Sequence, residues 1–153
     1  MIRALVVIVI ALFGCSKAAA PPAGTLVNTP AIDEFRRAEK LVLQAFNDAL
    51  GRQRANQIDE LGLADAIDRD VLPPWRELRE HIAKAVVPDP DRELFTTLER
   101  YMAERQTSWE AYSSALRSRD DAQSQPDYAK YHEQNDAATA DAKRLGEAFR
   151  ALR

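Results

Sequence analysis

The stretch YAKYHEQNDAATADAKRLGEAFRAL, from Tyr128 to Leu152, decides the fold class. Tyr128, Tyr131, Asn135, Ala138, Ala142, Leu145, Phe149 and Leu152 follow one another at alternating steps of three and four. That spacing puts side chains on one face of an α-helix and repeats as a heptad seam. A seam of this length needs other helices to cover it.

Three more helical patterns lie upstream. Leu94, Phe95, Leu98, Tyr101, Met102, Trp109, Tyr112 and Leu116 form the neighbouring stripe, expected to end at Asp120-Asp121 before a Ser124-Gln125-Pro126-Asp127 turn. Val87-Pro88-Asp89-Pro90-Asp91 breaks the chain ahead of it, with Asp89 or Asp91 placed to cap that helix. Before that, Ile58, Leu61, Ile67, Val71, Leu72, Trp75, Leu78, Ile82 and Val86 make a broader stripe interrupted by Pro73-Pro74. Either this helix kinks at the prolines, or a short helix ends near Leu72 and a new one starts there.

The first pattern opens at Thr29-Pro30, read as an N-cap and first helical residue, with Asp33 and Glu34 near the positive end of the dipole. Ile32, Phe35, Val42, Phe46 and Ala49 give it one apolar face, with Arg36, Arg37, Glu39 and Lys40 largely off it. Gly51 and Gly62 blur its end, so that segment reads either as a turn or as continuous helix. No stretch alternates with the period of two that marks a half-buried strand. The expectation is an all-α fold, an antiparallel bundle of three to four helices over residues 30–153.

Composition bounds the function. The chain has 153 residues with 21 Lys+Arg against 24 Asp+Glu. Residues 1–14 carry only Arg3, so the remainder has 20 against 24, a formal −4. That leaves no basic footprint for nucleic acid, and no nucleic-acid partner is expected. A lone thiol, Cys15, leaves no disulfide and no CxxC pair. His81 and His132 are the only histidines; each stands one turn from a carboxylate, Glu77 and Asp136 respectively. Such pairs belong to solvated helix faces, and no metal or other cofactor is expected. No GxSxG elbow, HExxH helix or glycine-rich phosphate loop occurs, so an enzyme is not expected.

The N-terminus reads as an address. Met1-Ile2-Arg3 is a short basic start, and Ala4 to Phe13 is an unbroken apolar run of ten residues ending in Gly14-Cys15. Such a run falls short of the about 20 residues a spanning helix wants and suits a signal-peptide core. Leu12-Phe13-Gly14-Cys15 resembles the lipobox of bacterial lipoproteins. The resemblance implies a signal peptide over residues 1–14, cleavage before Cys15 and lipid on its sulfur and amine. With Ser16 rather than Asp next, it also implies sorting to the outer membrane, facing the periplasm. Residues 15–29 are then the lipidated cysteine and a flexible tether rich in Ala and Pro, whose fourteen residues from Ser16 to Thr29 reach at most about 46–50 Å when extended.

Two polar residues interrupt the seams. Arg105 stands on the stripe of Met102, Trp109 and Tyr112, and needs a carboxylate or a route to solvent. Asn135 interrupts the last helix, where one polar seam residue fixes register or oligomeric state. Both are expected to specify the fold first and to contact a ligand second. Trp75, Tyr101, Trp109, Tyr112, Tyr128 and Tyr131 complete the set of candidate contact residues. The leading expectation is an envelope lipoprotein, held to a membrane through lipid on Cys15, whose bundle engages an envelope protein partner or serves structurally. The alternative is a bundle that binds a small or amphiphilic ligand in an aromatic gap near Trp75, Trp109 and Tyr112. A heptad seam serves a homo-oligomer as well as an intramolecular bundle.

Overall fold

In the computed structural model the described residues are 29–118 and 121–151. The proposed signal peptide, Cys15, most of the tether, Asp120 and Leu152 lie outside them. The described chain is all-α: α1 (Thr29–Arg54), α2 (Glu60–Ala66), a π turn (Ile67–Val71), α3 (Leu72–Ile82), a 3-10 turn (Asp89–Asp91), α4 (Arg92–Arg117) and α5 (Asp121–Ala151). α2, the π turn and α3 run on without a break, so four rods pack as an antiparallel bundle. No helix among the described residues is long and apolar enough to cross a membrane.

The segment between Gly51 and Gly62 turns. α1 ends at Arg54, and two residues on, Asn56 has a left-handed φ of 54°, while Asn56 N–H reaches Gln53 O at 3.0 Å and Gln57 N–H reaches Arg52 O at 2.9 Å. This pair of bonds satisfies the last carbonyls in the manner of a Schellman cap, and Asn tolerates the backbone it needs. Asp59 then caps α2 by accepting Gly62 N–H at 2.8 Å. A Cβ on Gly62 would meet Ile58 Cβ at 3.0 Å, so the tight entry favours glycine there.

The prolines start a helix and stay joined to the preceding one. Pro73 and Pro74 carry no N–H and their rings crowd the carbonyls four residues back. The chain widens instead, with Leu72 N–H reaching Ile67 O, five residues back, and α3 starts with both prolines in its first turn.

The core is one aromatic cluster surrounded by aliphatic side chains. Trp75, on α3, and Trp109, on α4, meet edge to face at 5.2 Å, Trp75 and Tyr101 at 6.0 Å, and Phe35 on α1 meets Tyr101 at 6.1 Å. Each such pair contributes about 0.5–1.5 kcal/mol beyond area burial. Trp75 Nε1–H donates to Met102 O at 2.9 Å, which satisfies the one polar atom this burial would otherwise strand.

Several sequence expectations need correction. α5 starts at Asp121, and Pro126 lies inside it, where a turn over Ser124–Asp127 was expected. Pro126 sits in the second turn of α5, close enough to the free N–H groups of the start that it interrupts little of the ladder. α4 ends at Arg117, short of Asp120-Asp121. Thr29 is already helical rather than capping, and no acidic residue falls in the first turn of α1, so Asp33 and Glu34 stand one turn in. Asp91 occupies the N-cap of α4 without a capping hydrogen bond, and its Oδ2 is buried with no partner. Leu61 is 40 % and Val86 86 % exposed, off the core that their stripe implied. Leu61 lies in the first turn of α2 and Val86 beyond the end of α3, where helical phase no longer governs direction.

Candidate functional site

α4 is the central element, packed against α2, the π turn, α3 and, along most of its contact, α5. α1 rests on α2, the π turn and α3, and no Cα of α1 comes within 8 Å of α5 among the described residues. The bundle is therefore closed on three sides and grooved on the fourth.

Arg105 and Asn135, singled out separately in the sequence, meet across the α4–α5 interface. Arg105 Nη1 donates to Asn135 Oδ1 at 2.7 Å. The guanidinium carbon lies 5.6 Å from the Tyr101 ring and 5.9 Å from that of Trp109, and Nε is buried without an acceptor. Of the two expected solutions, a carboxylate or a route to solvent, the first is replaced by an amide and two ring faces, and the side chain is half-buried. Above it, Tyr101 O–H donates to Glu39 Oε1 at 2.5 Å, joining α4 to α1. Burial raises the Glu39 carboxyl above its ordinary range, although the Tyr101 hydrogen bond and Arg105 pull the other way. Burial, with the Glu39 carboxylate beside it, also raises the Tyr101 phenol.

The candidate residues separate into two groups. Trp75, Tyr101 and Trp109 are fully buried and packed against each other, so the ligand gap expected near Trp75, Trp109 and Tyr112 is filled by the core itself. Tyr112, Tyr128 and Tyr131 are half-buried on the α4–α5 side: Tyr112 and Tyr131 stack at 4.5 Å with 18° between planes, and Tyr128 lies 6.2 Å from Tyr112. Burial, together with neighbouring phenols, raises the Tyr112 hydroxyl. Phe46 meets Tyr112 at 6.4 Å, which puts this cluster near the far end of α1 from Thr29.

The open space lies elsewhere. Between α1 and α5 is a cavity of about 220 Å³, to which α1 contributes Phe35, Arg36 and Glu39, and α5 contributes Leu145, Gly146, Phe149 and Arg150. Phe35 and Phe149 approach at 6.5 Å across it, and the Arg36 guanidinium lies 5.9 Å over the Phe149 ring. The residues come at steps of one and three on each helix, as one helical face does, which is the one sequence sign of this groove.

Sequence reasoning missed an ion cluster beside the same interface. Asp141, whose side chain is 4 % exposed, accepts from Arg100 Nε at 2.5 Å and Nη2 at 2.9 Å, and from Arg144 Nη1 at 2.9 Å. Arg100 holds the Asp141 carboxyl below its ordinary range. Glu104, close by, is raised by burial and by Asp141, and its Oε2 is buried without a partner. The histidines are also placed differently. His81 Nδ1 meets Glu34 Oε1 on α1 at 2.7 Å rather than pairing within its own helix with Glu77, and His132 lies 5.0 Å from the Tyr131 ring. No group of three His, Cys, Asp or Glu side chains among the described residues is arranged to hold a metal ion. Comparison with protein-family models, curated proteins and solved structures finds no match to this chain.

Proposed function

We propose that the chain is an envelope lipoprotein, anchored through lipid on Cys15, whose bundle is a protein-interaction module. The observation that carries the reading is the position of the Tyr112, Tyr128 and Tyr131 cluster. Thr29 begins α1, and Phe46, beside Tyr112, lies seventeen residues along it. At about 1.5 Å of rise per residue that is roughly 25 Å from the end that joins the tether. A bundle held by a tether at its Thr29 end leaves the tyrosine cluster, well along the bundle from the attachment point, free to meet a partner away from the membrane. Half-buried tyrosines suit that task, since they bring large apolar area, few rotamers and a polar tip.

The surrounding polar pairs support a scaffold held in one arrangement. Arg105–Asn135, Tyr101–Glu39 and Arg100–Asp141 each tie α4 to another rod, so the tyrosines are displayed on a surface fixed in register. The test is crosslinking in cells and co-purification of the native chain, a Cys15→Ser chain and a Tyr112→Ala/Tyr131→Ala chain, with membrane fractionation of all three. The native protein is expected to pellet with membranes and to enrich one envelope protein, or a second copy of itself, that the tyrosine variant loses. Identical soluble fractionation of the native and Cys15→Ser chains would sink the anchor. Equal partner recovery by the tyrosine variant would sink the docking face.

A further inference from the structure

We propose that the end of the bundle from which residues 1–28 leave is a membrane-contact face, with Val86 at its centre and a phospholipid bilayer as its partner. In the antiparallel arrangement this end gathers the start of α1, the loop between α3 and α4, and the start of α4. Pro30 on α1 lines one surface cavity together with Ile82, Lys84 and Ala85, so the loop lies beside the point where the tether joins. Both ends of the loop are fixed. Ala85 N–H reaches Ile82 O at 3.0 Å where α3 closes, and Asp91 N–H reaches Pro88 O at 3.0 Å in the 3-10 turn. Ala85 and Val87 pack inward against the core, and the residue between them faces outward: Val86 is 86 % exposed. Ala83, Pro88 and Pro90 are exposed on the same loop, and Pro30 beside it.

Charge and position narrow the partner to lipid. Of the charged residues from 83 to 92, Asp89 and Arg92 pair at 2.8 Å and Asp91 is buried, which leaves Lys84 to reach toward lipid phosphate. Across the cavity Glu34 meets His81 at 2.7 Å. Apolar side chains with a lysine at their edge suit the boundary between headgroups and acyl chains. Leu41 and Leu61, the other large apolar side chains exposed among the described residues, lie twelve residues along α1 and at the opposite end of the bundle. One valine among prolines attracts a bilayer weakly, since binding scales with the apolar area buried. A tether overcomes this by confining the loop near the surface at an effective concentration on the order of millimolar. The proposal rests on the anchored-lipoprotein reading and adds an orientation to it. A tether alone lets the bundle tumble, whereas contact at this end stands the rods off the surface, with the tyrosine cluster roughly 25 Å further out.

Cys15 is the only cysteine, so with lipid on its sulfur an engineered thiol is the sole site for a maleimide dye. Lipidated Val86→Cys, Ala83→Cys and Gln57→Cys chains are labelled with a nitrobenzoxadiazole dye; Gln57 is exposed in the turn at the opposite end. Each is assembled, one copy per disc, in phosphatidylcholine and phosphatidylethanolamine nanodiscs that carry a nitroxide-labelled lipid. The dye at positions 83 and 86 is expected to shift to the blue and to be quenched by the nitroxide, and the dye at position 57 to do neither. Val86→Asp removes the apolar contact and adds a charge, so it is expected to weaken the contact about tenfold and to bring quenching at position 83 down to the level at 57. Equal quenching at all three positions, or quenching at position 83 that survives Val86→Asp at an unchanged melting temperature, overturns the proposal. A blue shift without quenching, seen only in discs that hold two copies, assigns the face to a second copy and overturns it as well. The anchor is read separately, on the native chain. Dye taken up at Cys15 means no lipid there, and the anchor reading falls together with the proposal; an undyed, disc-bound native chain with equal quenching in the three variants keeps the anchor and sinks the contact alone.

Discussion

Replacing Arg105 and Asn135 together by leucine is expected to raise stability by about 1–3 kcal/mol. The native pair gains one hydrogen bond to a charged donor at 2.7 Å, worth about 1.5–3 kcal/mol net. Two ring contacts, at 5.6 and 5.9 Å, add about 0.5–1 kcal/mol each. Against this stand the buried Nε without an acceptor, about 1–3 kcal/mol, and the desolvation of the guanidinium, several more. Two half-buried leucines recover roughly the 1.5–3 kcal/mol of one fully buried side chain. The single variants differ. Asn135→Leu strands Arg105 Nη1 and costs about 1–3 kcal/mol, while Arg105→Leu leaves an amide that can turn to water and stays within about 1 kcal/mol of native. Urea unfolding of all four proteins gives the double-mutant cycle, with an expected coupling of about 2–6 kcal/mol, the gain of the double variant added to the loss in Asn135→Leu. A double variant less stable than the native chain, or a coupling below about 0.5 kcal/mol, refutes the reasoning. The specificity role has its own readout. Light scattering and near-ultraviolet circular dichroism should show mixed oligomers or loosened aromatic packing once the polar pair that fixes register is gone.

Trp75→Ala removes a fully buried ring that touches Phe35, Tyr101 and Trp109, and a loss of about 3–5 kcal/mol is expected in thermal unfolding. For Asp141, Arg100 depresses the folded carboxyl below 3.8, so its stabilisation is present at neutral pH and lost as pH falls through the acid range; Asp141→Asn should flatten that limb of a melting-temperature profile. Glu39 has the opposite sign: its folded carboxyl is raised above 4.5, so stability from that group is full below 4.5 and lost as pH rises through the higher folded value. Glu39→Gln keeps an acceptor for Tyr101 and should melt higher than native at pH 7, and a lower melting point there would contradict the assigned burial cost. Pro126→Ala restores an N–H in the second turn of α5 and should add stability, well under the about 3 kcal/mol of a proline in a helix interior, with slower amide exchange near residue 126.

The rods were legible because their apolar spacing is long and regular: Ile32, Phe35, Val42 and Ala49 on α1, and Ala138 and Leu145 on α5, are buried as that spacing demands. Boundaries were less so, for reasons visible at single residues. Gly51 and Gly62 drew attention, while the cap was made by Asn56, a residue whose tolerance of left-handed backbone has no periodic signature. Pro126 looked like a turn because proline penalises helix interiors, but so near a helix start the penalty is small enough for α5 to run through it.

The site was harder to read, since its features depend on which stripes face which. Arg105 and Asn135 were each visible as breaks in a seam, and each was matched to general partners, but their sharing one hydrogen bond follows only from the α4–α5 register. Asp141 gave no warning because it stands on the flank of the seam, where an acid reads as solvated; Arg100 and Arg144 close over it and bury it. The aromatic residues named the core and not the cavity, because rings attract one another and fill the space they surround. A groove survives where helices are held apart, and at α1 and α5 the Phe35–Phe149 contact does this, at 6.5 Å between ring centres. Removing the spacer therefore tests the cause of the groove. Phe149→Ala should let α1 and α5 approach and shrink the cavity, whereas Phe149→Leu should keep most of it open.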